Sequence, residues 1–352
     1  MIRYLARRLR YSLLVLWGVV TLIFFLFNVL PGDPARLTMG QRSDLASLAN
    51  ARHELNLDKP LLTRYYLYLN DLSPLSINGR DSAARQEYHY LLLVPFSNNK
   101  ALVLKWPHLG RSYRTKKQVS DILAEALPAT AILAVTAMSF ATIIGILLGV
   151  LAAVKKNTWM DTSAVAASVA GISLPSFFAA LLIAYVFGYL LHSYTGLNMT
   201  GSLWEYDPFT GRRLALRNLL LPAFALGIRP LAIITQLTRS ALLDTLSQDY
   251  IRTAYAKGLS KTKTIFRHAL PNALNPVITA VTGWLAELLA GSFFVEYIFG
   301  WKGVGKITVD ALDKFDFPLV MGAVLLTSFI FIVINLFTDL FYAWIDPRVR
   351  LY

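Results

Sequence analysis

Long apolar runs alternate with polar segments along most of this chain. A helix rising about 1.5 Å per residue needs about 20 apolar residues to cross a bilayer core. Runs of that length with few charges cover residues 11–30, 123–153, 162–191, 218–238, 275–298 and 317–344. This pattern predicts an all-α polytopic membrane protein with about six transmembrane helices.

Composition agrees with a lipid environment and excludes several kinds of chemistry. Hydrophobic residues make up 55% of the 352 and charged residues only 16%, against about 25% charged in soluble domains. The net charge of +13 comes from basic residues that punctuate apolar runs instead of forming a stripe with aromatics, so we expect no nucleic-acid partner. With no cysteine and five dispersed histidines, the chain predicts no metal site and no cofactor of its own.

Lysine and arginine are distributed unevenly around the apolar runs. The flanks 1–10, 154–161, 239–274 and 345–352 together hold 14 Lys and Arg, whereas the short loops 192–217 and 299–316 hold 6. Positive residues stay on the cytoplasmic side, so both termini are predicted to be cytoplasmic. The first run is longer than a signal-peptide core, which favours a retained helix.

This orientation divides the chain into a core with one long external insertion. The segment 31–122 is too polar to span and is expected outside the cytoplasm, with Leu61 to Leu72 and Tyr88 to Leu104 apolar enough for a small folded cap. Alternation from Ala101 to Lys105 indicates a strand there. The predicted parts are residues 1–30 (N-terminus and first helix), 31–122 (extracytoplasmic), 123–345 (core with five helices) and 346–352 (cytoplasmic tail).

A polar, amphipathic stretch, residues 239–275, separates the fourth and fifth apolar runs. Helix-forming residues extend from Ser240 to Tyr255, Gly258 is a natural terminator, and Ser260 is placed to cap a second short helix beginning at Lys261. The stretch is therefore predicted to be a helix–turn–helix on the cytoplasmic side.

Residues Gln248 to Ser260 and Arg267 to Leu274 resemble the signature loop of bacterial ABC importer permeases, in the version of the dipeptide/oligopeptide permease family. The general pattern is Glu-Ala-Ala, three residues, Gly, nine residues, Ile, any residue, Leu-Pro. Its second Ala, its Gly and its Leu-Pro match this chain, whereas Arg252, Thr253 and His268 replace Glu, the first Ala and Ile.

The resemblance extends over nearly the whole chain, through landmarks that include Leu30 to Pro34, Leu127 to Thr130, Ser173 to Phe177 and Asp346 to Arg350. It implies a subunit that forms half of a translocation path and catalyses no reaction itself. The implied partners are a homologous second permease, two ABC ATPase subunits that bind ATP and Mg, an extracytoplasmic solute-binding protein and membrane lipid.

In such importers the signature loop forms a coupling helix that docks on the cytoplasmic ATPase. The resemblance implies this role for Asp249, Tyr250, Arg252, Ala254, Ala256, Gly258, His268, Leu270 and Pro271. Since Ala254 and Gly258 are four residues apart, they are expected to share one helical face. The alternative is a solvated juxtamembrane helix whose basic residues are attracted to anionic lipid.

Polar residues within the apolar runs mark a possible path or gate, because a lipid-exposed charge costs about 3 kcal/mol. These residues are Glu287, Arg229 and Gln236, and Pro175 would bend the third span as part of a gate. The competing interpretation is that Glu287 only forms a structural pair. The stretch from Gly300 to Lys306 has P-loop spacing, but Ile307 replaces the required Ser or Thr, so we expect no ATP site here.

Two other classes of membrane protein remain as alternatives. An ion-coupled secondary transporter acting alone usually shows inverted repeats and several midmembrane carboxylates, neither of which is evident in the sequence. An intramembrane protease would need a dyad, and Ser173 and His192 lie about 28 Å apart along one predicted helix. Peptide is the solute that the resemblance implies; nickel, opines and glutathione stay open.

Overall fold

A computed structural model describes residues 2–29, 52, 57–79, 88, 90–95, 100–207, 209 and 211–345. Its helices are α1 (Ile2–Val29), α2 (Leu61–Leu72), α3 (Val119–Val154), α4 (Trp159–Ser173), α5 (Ser176–Ile183), α6 (His192–Thr195), α7 (Arg217–Leu246), α8 (Asp249–Ala256), α9 (Lys261–Thr264), α10 (Leu270–Ala273), α11 (Asn275–Gly291), α12 (Phe293–Phe299), α13 (Val304–Asp313) and α14 (Phe317–Ile345). Two π-helical segments, Ala184–Leu190 and Ile265–Ala269, continue α5 and α9. The strands are β1 (Leu75–Gly79), β2 (Leu91–Pro95), β3 (Lys100–Leu104), β4 (Trp204–Asp207) and β5 (Gly211–Leu214).

The chain forms two compact units. One comprises Met1–Leu9, Ala126–Ile307 and Thr327–Tyr352, and the other comprises Arg10–Glu125 and Thr308–Leu326. The first is called the core unit below and the second the insertion unit. The predicted landmark Leu30 to Pro34 and the tail 346–352 lie outside the described residues.

Six membrane spans are confirmed if two bent helix pairs are each counted as one span. Within the described residues, four helices are long and apolar enough to cross a membrane: Ala6–Asn28, Val119–Val154, Arg217–Leu246 and Phe317–Leu340. The bent pairs are Trp159–Ser173 with Ser176–Leu190, and Lys261–Ala273 with Asn275–Ala290. The prediction of a mainly helical polytopic protein therefore holds.

The third and fifth predicted spans are not continuous helices. The two halves of the third span are bent by 108° relative to each other. The bend arises because Pro175 has no N–H for a helical hydrogen bond and holds Leu174 in an extended conformation. The fifth span ends at Gly291, since Ser292 leaves helical geometry and α12 begins after it. The predicted end at residue 298 is therefore wrong.

Small residues bring α3 and α7 together in the core unit. An added Cβ on Gly145 would lie 2.9 Å from a side-chain carbon of Ile234, and one on Gly149 would lie 2.5 Å from Cβ of Thr238. Lipid provides little hydrophobic drive between helices, so such close approach supplies the packing energy. This pair of glycines therefore packs within the chain.

The insertion unit contains a small antiparallel sheet beside α2. Its strand order is β1-β3-β2, with Leu75 opposite Leu104 in one pair and Pro95 opposite Ala101 in the other. Ala101 and Val103 of β3 are fully buried while their neighbours are more exposed. The strand predicted from alternation is confirmed at Lys100–Leu104.

A second hairpin, β4–β5, belongs to the core unit and precedes α7. Trp204 pairs with Leu214 and Asp207 with Gly211. Asn218, in the first turn of α7, donates hydrogen bonds to Ser202 O at 3.0 Å and to Glu205 Oε1 at 2.6 Å. These bonds fix the hairpin to the start of α7.

Candidate functional site

The coupling segment, residues 239–275, begins inside a membrane-spanning helix. α7 does not stop at residue 238 but continues to Leu246, and α8 starts at Asp249 after a break at Ser247 and Gln248. The single helix predicted from Ser240 to Tyr255 is therefore two helices. The span α7 therefore leads into α8 through a two-residue break.

The inner face of α8 packs against the core unit. Ile251 is fully buried and Ala254 is 7% exposed. Ile251 lies in a cluster with Leu242 of α7 and with Ile265 and Ala269 of the π-helical segment that continues α9. The apolar spacing that makes this stretch amphipathic therefore fixes α8 to its own chain.

The outer face of α8 is polar and aromatic. Asp249, Arg252 and Ala256 are exposed, and the side chain of Tyr250 is 45% exposed. Arg252 reaches Asp249 at 3.6 Å, but both side chains are almost fully solvated, so the pair adds little stability. Asn272 donates a 3.0 Å hydrogen bond to the hydroxyl of Tyr250.

Gly258 forms the turn after α8. Its φ of +79° is left-handed, and a Cβ placed there would meet nothing within 4 Å. α8 ends at Ala256, so the expectation that Ala254 and Gly258 share a helical face is wrong. Ala254 faces its own chain, and position 258 needs glycine because its backbone has a positive φ.

The second arm of the segment returns toward α11. Ser260 stands before α9 as predicted, although its side chain makes no capping hydrogen bond. His268 and Leu270 are half-buried, and Pro271 is exposed in the first turn of α10. The two arms together form the predicted helix–turn–helix.

An ion pair that sequence reasoning did not identify braces the start of this segment. Arg239 donates from Nε to Oδ1 of Asp161 at 2.5 Å and from Nη2 to Oδ2 at 2.8 Å. The backbone N–H of Asn157 also donates to Asp161, at 3.0 Å. A two-bond guanidinium–carboxylate contact fixes orientation as well as distance, so α4 and the last turns of α7 are held in one geometry.

The residues proposed for a path differ in their exposure. Arg229 and Gln236 are half-buried on α7, whereas Glu287 is exposed on α11. The guanidinium of Arg229 lies 5.6 Å from the ring centroid of Trp284, and within the described residues its Nε has no hydrogen-bond partner. Arg229 and Glu287, both described, form no ion pair.

A buried carboxylate, Glu296 of α12, was missed by the sequence reasoning. It is fully buried and accepts hydrogen bonds from Thr130 Oγ1 at 2.8 Å and Ser292 Oγ at 2.6 Å. The backbone N–H of Lys306 adds a third bond, at 3.2 Å. Thr130 Oγ1 in turn accepts from the N–H of Val304 at 2.8 Å, so Glu296 joins α12 to α3 and to the start of α13.

Two glycines of the Gly300–Lys306 stretch, Gly303 and Gly305, lie close to this carboxylate. A Cβ on Gly303 would lie 2.4 Å from both Glu296 Oε2 and Thr130 Oγ1, a separation that real Cβ atoms do not reach. Trp301, fully buried, donates from Nε1 to the carbonyl of Ala129 at 3.0 Å. The Gly300–Lys306 stretch therefore packs against α3.

A metal site was not expected from the sequence, and in the described part of the chain no group of three or more His, Cys, Asp or Glu side chains is arranged to hold a metal ion.

Comparisons with known proteins agree with this architecture. Residues 145–351 match the family described as binding-protein-dependent transport system inner membrane component, and residues 1–90 match the N-terminal model of the same kind of protein. The chain is 35% identical to the di/tripeptide transport system permease protein DppB of Pseudomonas aeruginosa, over 99% of both chains. It is 36% identical to a probable D,D-dipeptide transport system permease protein of Escherichia coli K12, over 96% of this chain and 94% of that one.

A glutathione transport system permease protein of Escherichia coli K12 is 32% identical, over 99% of both chains. The spans, the coupling segment and these relatives define a class: a multi-pass membrane permease subunit of ABC importers. The chain belongs to the binding-protein-dependent transport system inner membrane component family, and it is a multi-pass membrane protein that acts in transport.

Proposed function

We propose that this permease forms half of a translocation path for peptides and is driven by ABC ATPases that dock on α8. The observation that carries the proposal is the two-sided character of α8. Its inner residues Ile251 and Ala254 are buried against its own chain, and its outer residues Tyr250, Arg252 and Tyr255 remain exposed. An exposed aromatic and charged face on a firmly seated helix suits a protein partner.

The charge of the coupling segment supports an acidic or polar partner surface. Residues 239–275 contain six Lys and Arg and two Asp, a formal net charge of +4. Two ABC ATPase subunits would supply ATP and Mg binding, and this chain would supply the moving element. Closure of the ATPases would move α8, and the braced α7 would carry that movement into the spans.

The complete importer would include two further partners. A homologous second permease would complete the path, and a solute-binding protein outside the cytoplasm would deliver the solute. Both termini and the coupling segment would then lie in the cytoplasm, with residues 31–122 on the opposite side of the membrane. The excess of Lys and Arg at 1–10 and 239–274 supports this orientation.

Peptide is the solute class that the relatives favour over nickel or opines. The names of the three relatives above specify di/tripeptides, D,D-dipeptides and glutathione, which is itself a tripeptide. Arg229 and Gln236 would meet the polar groups of such a solute, and Pro175 would let the bent third span rearrange. Glu287, being exposed on this chain, would face the second permease.

Affinity purification of the full-length chain from its native cells in mild detergent tests the docking role. We expect recovery of a second permease and two P-loop ATPases with ATPase activity. Arg252→Glu should reduce ATPase recovery at least about tenfold, because charge reversal at a contact costs more than 1.4 kcal/mol. Recovery of the second permease should be unchanged.

Arg213→Glu is the matched control. Arg213 is an exposed arginine of the β4–β5 hairpin, 3.4 Å from Glu205, and its reversal should leave ATPase recovery intact. Equal recovery with both variants would contradict docking through α8. A chain that purifies alone and transports on an ion gradient without ATP would favour the secondary-transporter alternative.

A further inference from the structure

The insertion unit contains a cavity of about 670 Å³ at the ends of two membrane-spanning helices. Asn28, at the end of the span in α1, and Pro318, at the start of α14, both line it. The rings of Phe27 and Phe317 lie 5.5 Å apart between their centroids, so the two helix ends meet. The cavity therefore lies where the apolar part of the membrane gives way to the polar headgroups.

The lining is divided into an apolar floor and a cationic upper wall. Phe24, Met321 and Leu325 belong to the spans and provide the floor. Arg64 of α2, and Arg111 and Lys116 of the loop between β3 and α3, provide three positive charges. An amphiphile with an anionic head matches this division, because its tail and head require these two environments in the same order.

Arg64 is held in place for such a ligand. It donates a hydrogen bond to Asn28, and its guanidinium is half-buried. Burial lowers the pKa of Arg64 from its ordinary value, although the neighbouring Tyr113 opposes this shift. A half-buried cation is stabilised when an anion approaches it, so the cavity favours a negative ligand.

A buried hydroxyl also points to a ligand. The hydroxyl of Tyr68, whose ring lies 5.5 Å from that of Phe24, is buried, and the described residues offer it no hydrogen-bond partner. Tyr68 lines the same cavity. A buried polar group without a partner is unfavourable, and a phosphate oxygen would supply the missing acceptor.

Among the described lining residues the carboxylate is Asp71, and it does not oppose an anion fully. Lys105 lies 3.6 Å from it, and burial raises the pKa of Asp71, with Lys105 and His108 acting in the other direction. The charged groups facing the cavity are then Arg64, Arg111 and Lys116, with Asp71 largely offset by Lys105.

We propose that this cavity binds the phosphate of an anionic phospholipid, whose acyl chains continue along the ends of α1 and α14. The phosphate would accept hydrogen bonds from Arg64, Lys116 and the Tyr68 hydroxyl. The bound lipid would couple the insertion unit to the membrane without any contribution from the ATPase-docking helix.

Native mass spectrometry of the full-length, delipidated protein in detergent tests this proposal. Dioleoylphosphatidylglycerol should bind at least about tenfold more tightly than dioleoylphosphatidylcholine. Lys116→Gln should weaken phosphatidylglycerol binding about fivefold or more, the loss expected for one charge-assisted hydrogen bond. Lys117→Gln is the matched control, since Lys117 is the adjacent exposed lysine and does not line the cavity; its affinity should stay within about twofold of the parent.

Tyr68→Phe gives an independent measure. Removing a buried hydroxyl that lacks a protein partner leaves folding stability unchanged or higher, while phosphatidylglycerol affinity should fall about fivefold. Equal affinity in the Lys116→Gln and Lys117→Gln variants, or in Tyr68→Phe and the parent, would overturn the proposal. Displacement of phosphatidylglycerol by an equal concentration of inorganic phosphate would overturn the lipid assignment in favour of a free-anion site.

Discussion

At the residue scale, two glutamates near the fifth span have opposite environments. Glu287 is exposed on α11, whereas Glu296 is fully buried and accepts three hydrogen bonds from Thr130, Ser292 and Lys306. A buried acceptor surrounded by donors cannot lose its oxygens without leaving those donors unpaired. Glu296 therefore holds α12, α3 and α13 together, and Glu287 contributes little within this chain.

Matched substitutions distinguish these roles. Glu296→Gln should lower the free energy of unfolding by about 1–3 kcal/mol, because the new amide NH₂ would face a donor. Glu287→Gln should change it by no more than about 0.5 kcal/mol. Thermal unfolding of both variants in detergent measures the difference, and equal melting temperatures would contradict the assignment.

The sequence revealed local effects more readily than distant contacts. Gly258 and Pro175 act on their own backbone, so their turn and bend were predictable from residue type alone. Glu296 depends on Thr130, which is 166 residues away, and Asp161 depends on Arg239, 78 residues away. Nothing in the local pattern identifies such partners, and the sequence reasoning therefore selected Glu287 instead.

At the element scale, α8 and its turn make the coupling segment a rigid unit. The hydrophobic period correctly predicted a helix there, but Ser247 and Gln248 break the helix and separate α8 from α7. The break was not evident because both residues are tolerated within helices. As a result Ala254 faces inward, and the turn at Gly258 sets the angle between the two arms.

Gly258→Asp, compared with Gly258→Asn, tests the surface at this turn. Asn and Asp are similar in size and both tolerate a left-handed backbone, so the two variants differ mainly in charge. The coupling segment has a net charge of +4, so its partner surface is expected to be acidic, and Asp at position 258 would repel that surface. We therefore expect ATP-dependent uptake of a dipeptide by the Gly258→Asp variant to be at least about tenfold lower than uptake by the Gly258→Asn variant. The two variants should be present in the membrane in equal amounts. Undiminished uptake by the Gly258→Asp variant would show that the turn is not part of the docking surface.

At the whole-molecule scale, the core unit and the insertion unit have different kinds of order. The six spans were predictable because membrane crossing fixes helix length, and most of the first span and the start of the last span belong to the insertion unit. Outside the spans, β3 of the insertion unit was predicted through the alternation of Ala101 and Val103. The strand order and the cavity were not, because they depend on contacts between distant segments.

Site-directed photocrosslinking tests the central claim, that α8 docks on an ATPase in the cytoplasm. The chain contains no cysteine, so Tyr255→Cys and Trp106→Cys each provide one thiol for a benzophenone maleimide. Tyr255 is 41% exposed on α8, and Trp106 is 87% exposed in the insertion unit. Docking through α8 predicts a light-dependent adduct with a P-loop ATPase from position 255 and none from position 106. An ATPase adduct from position 106 alone, or no ATPase adduct from position 255 in membranes that still show ATP-driven uptake, would contradict it.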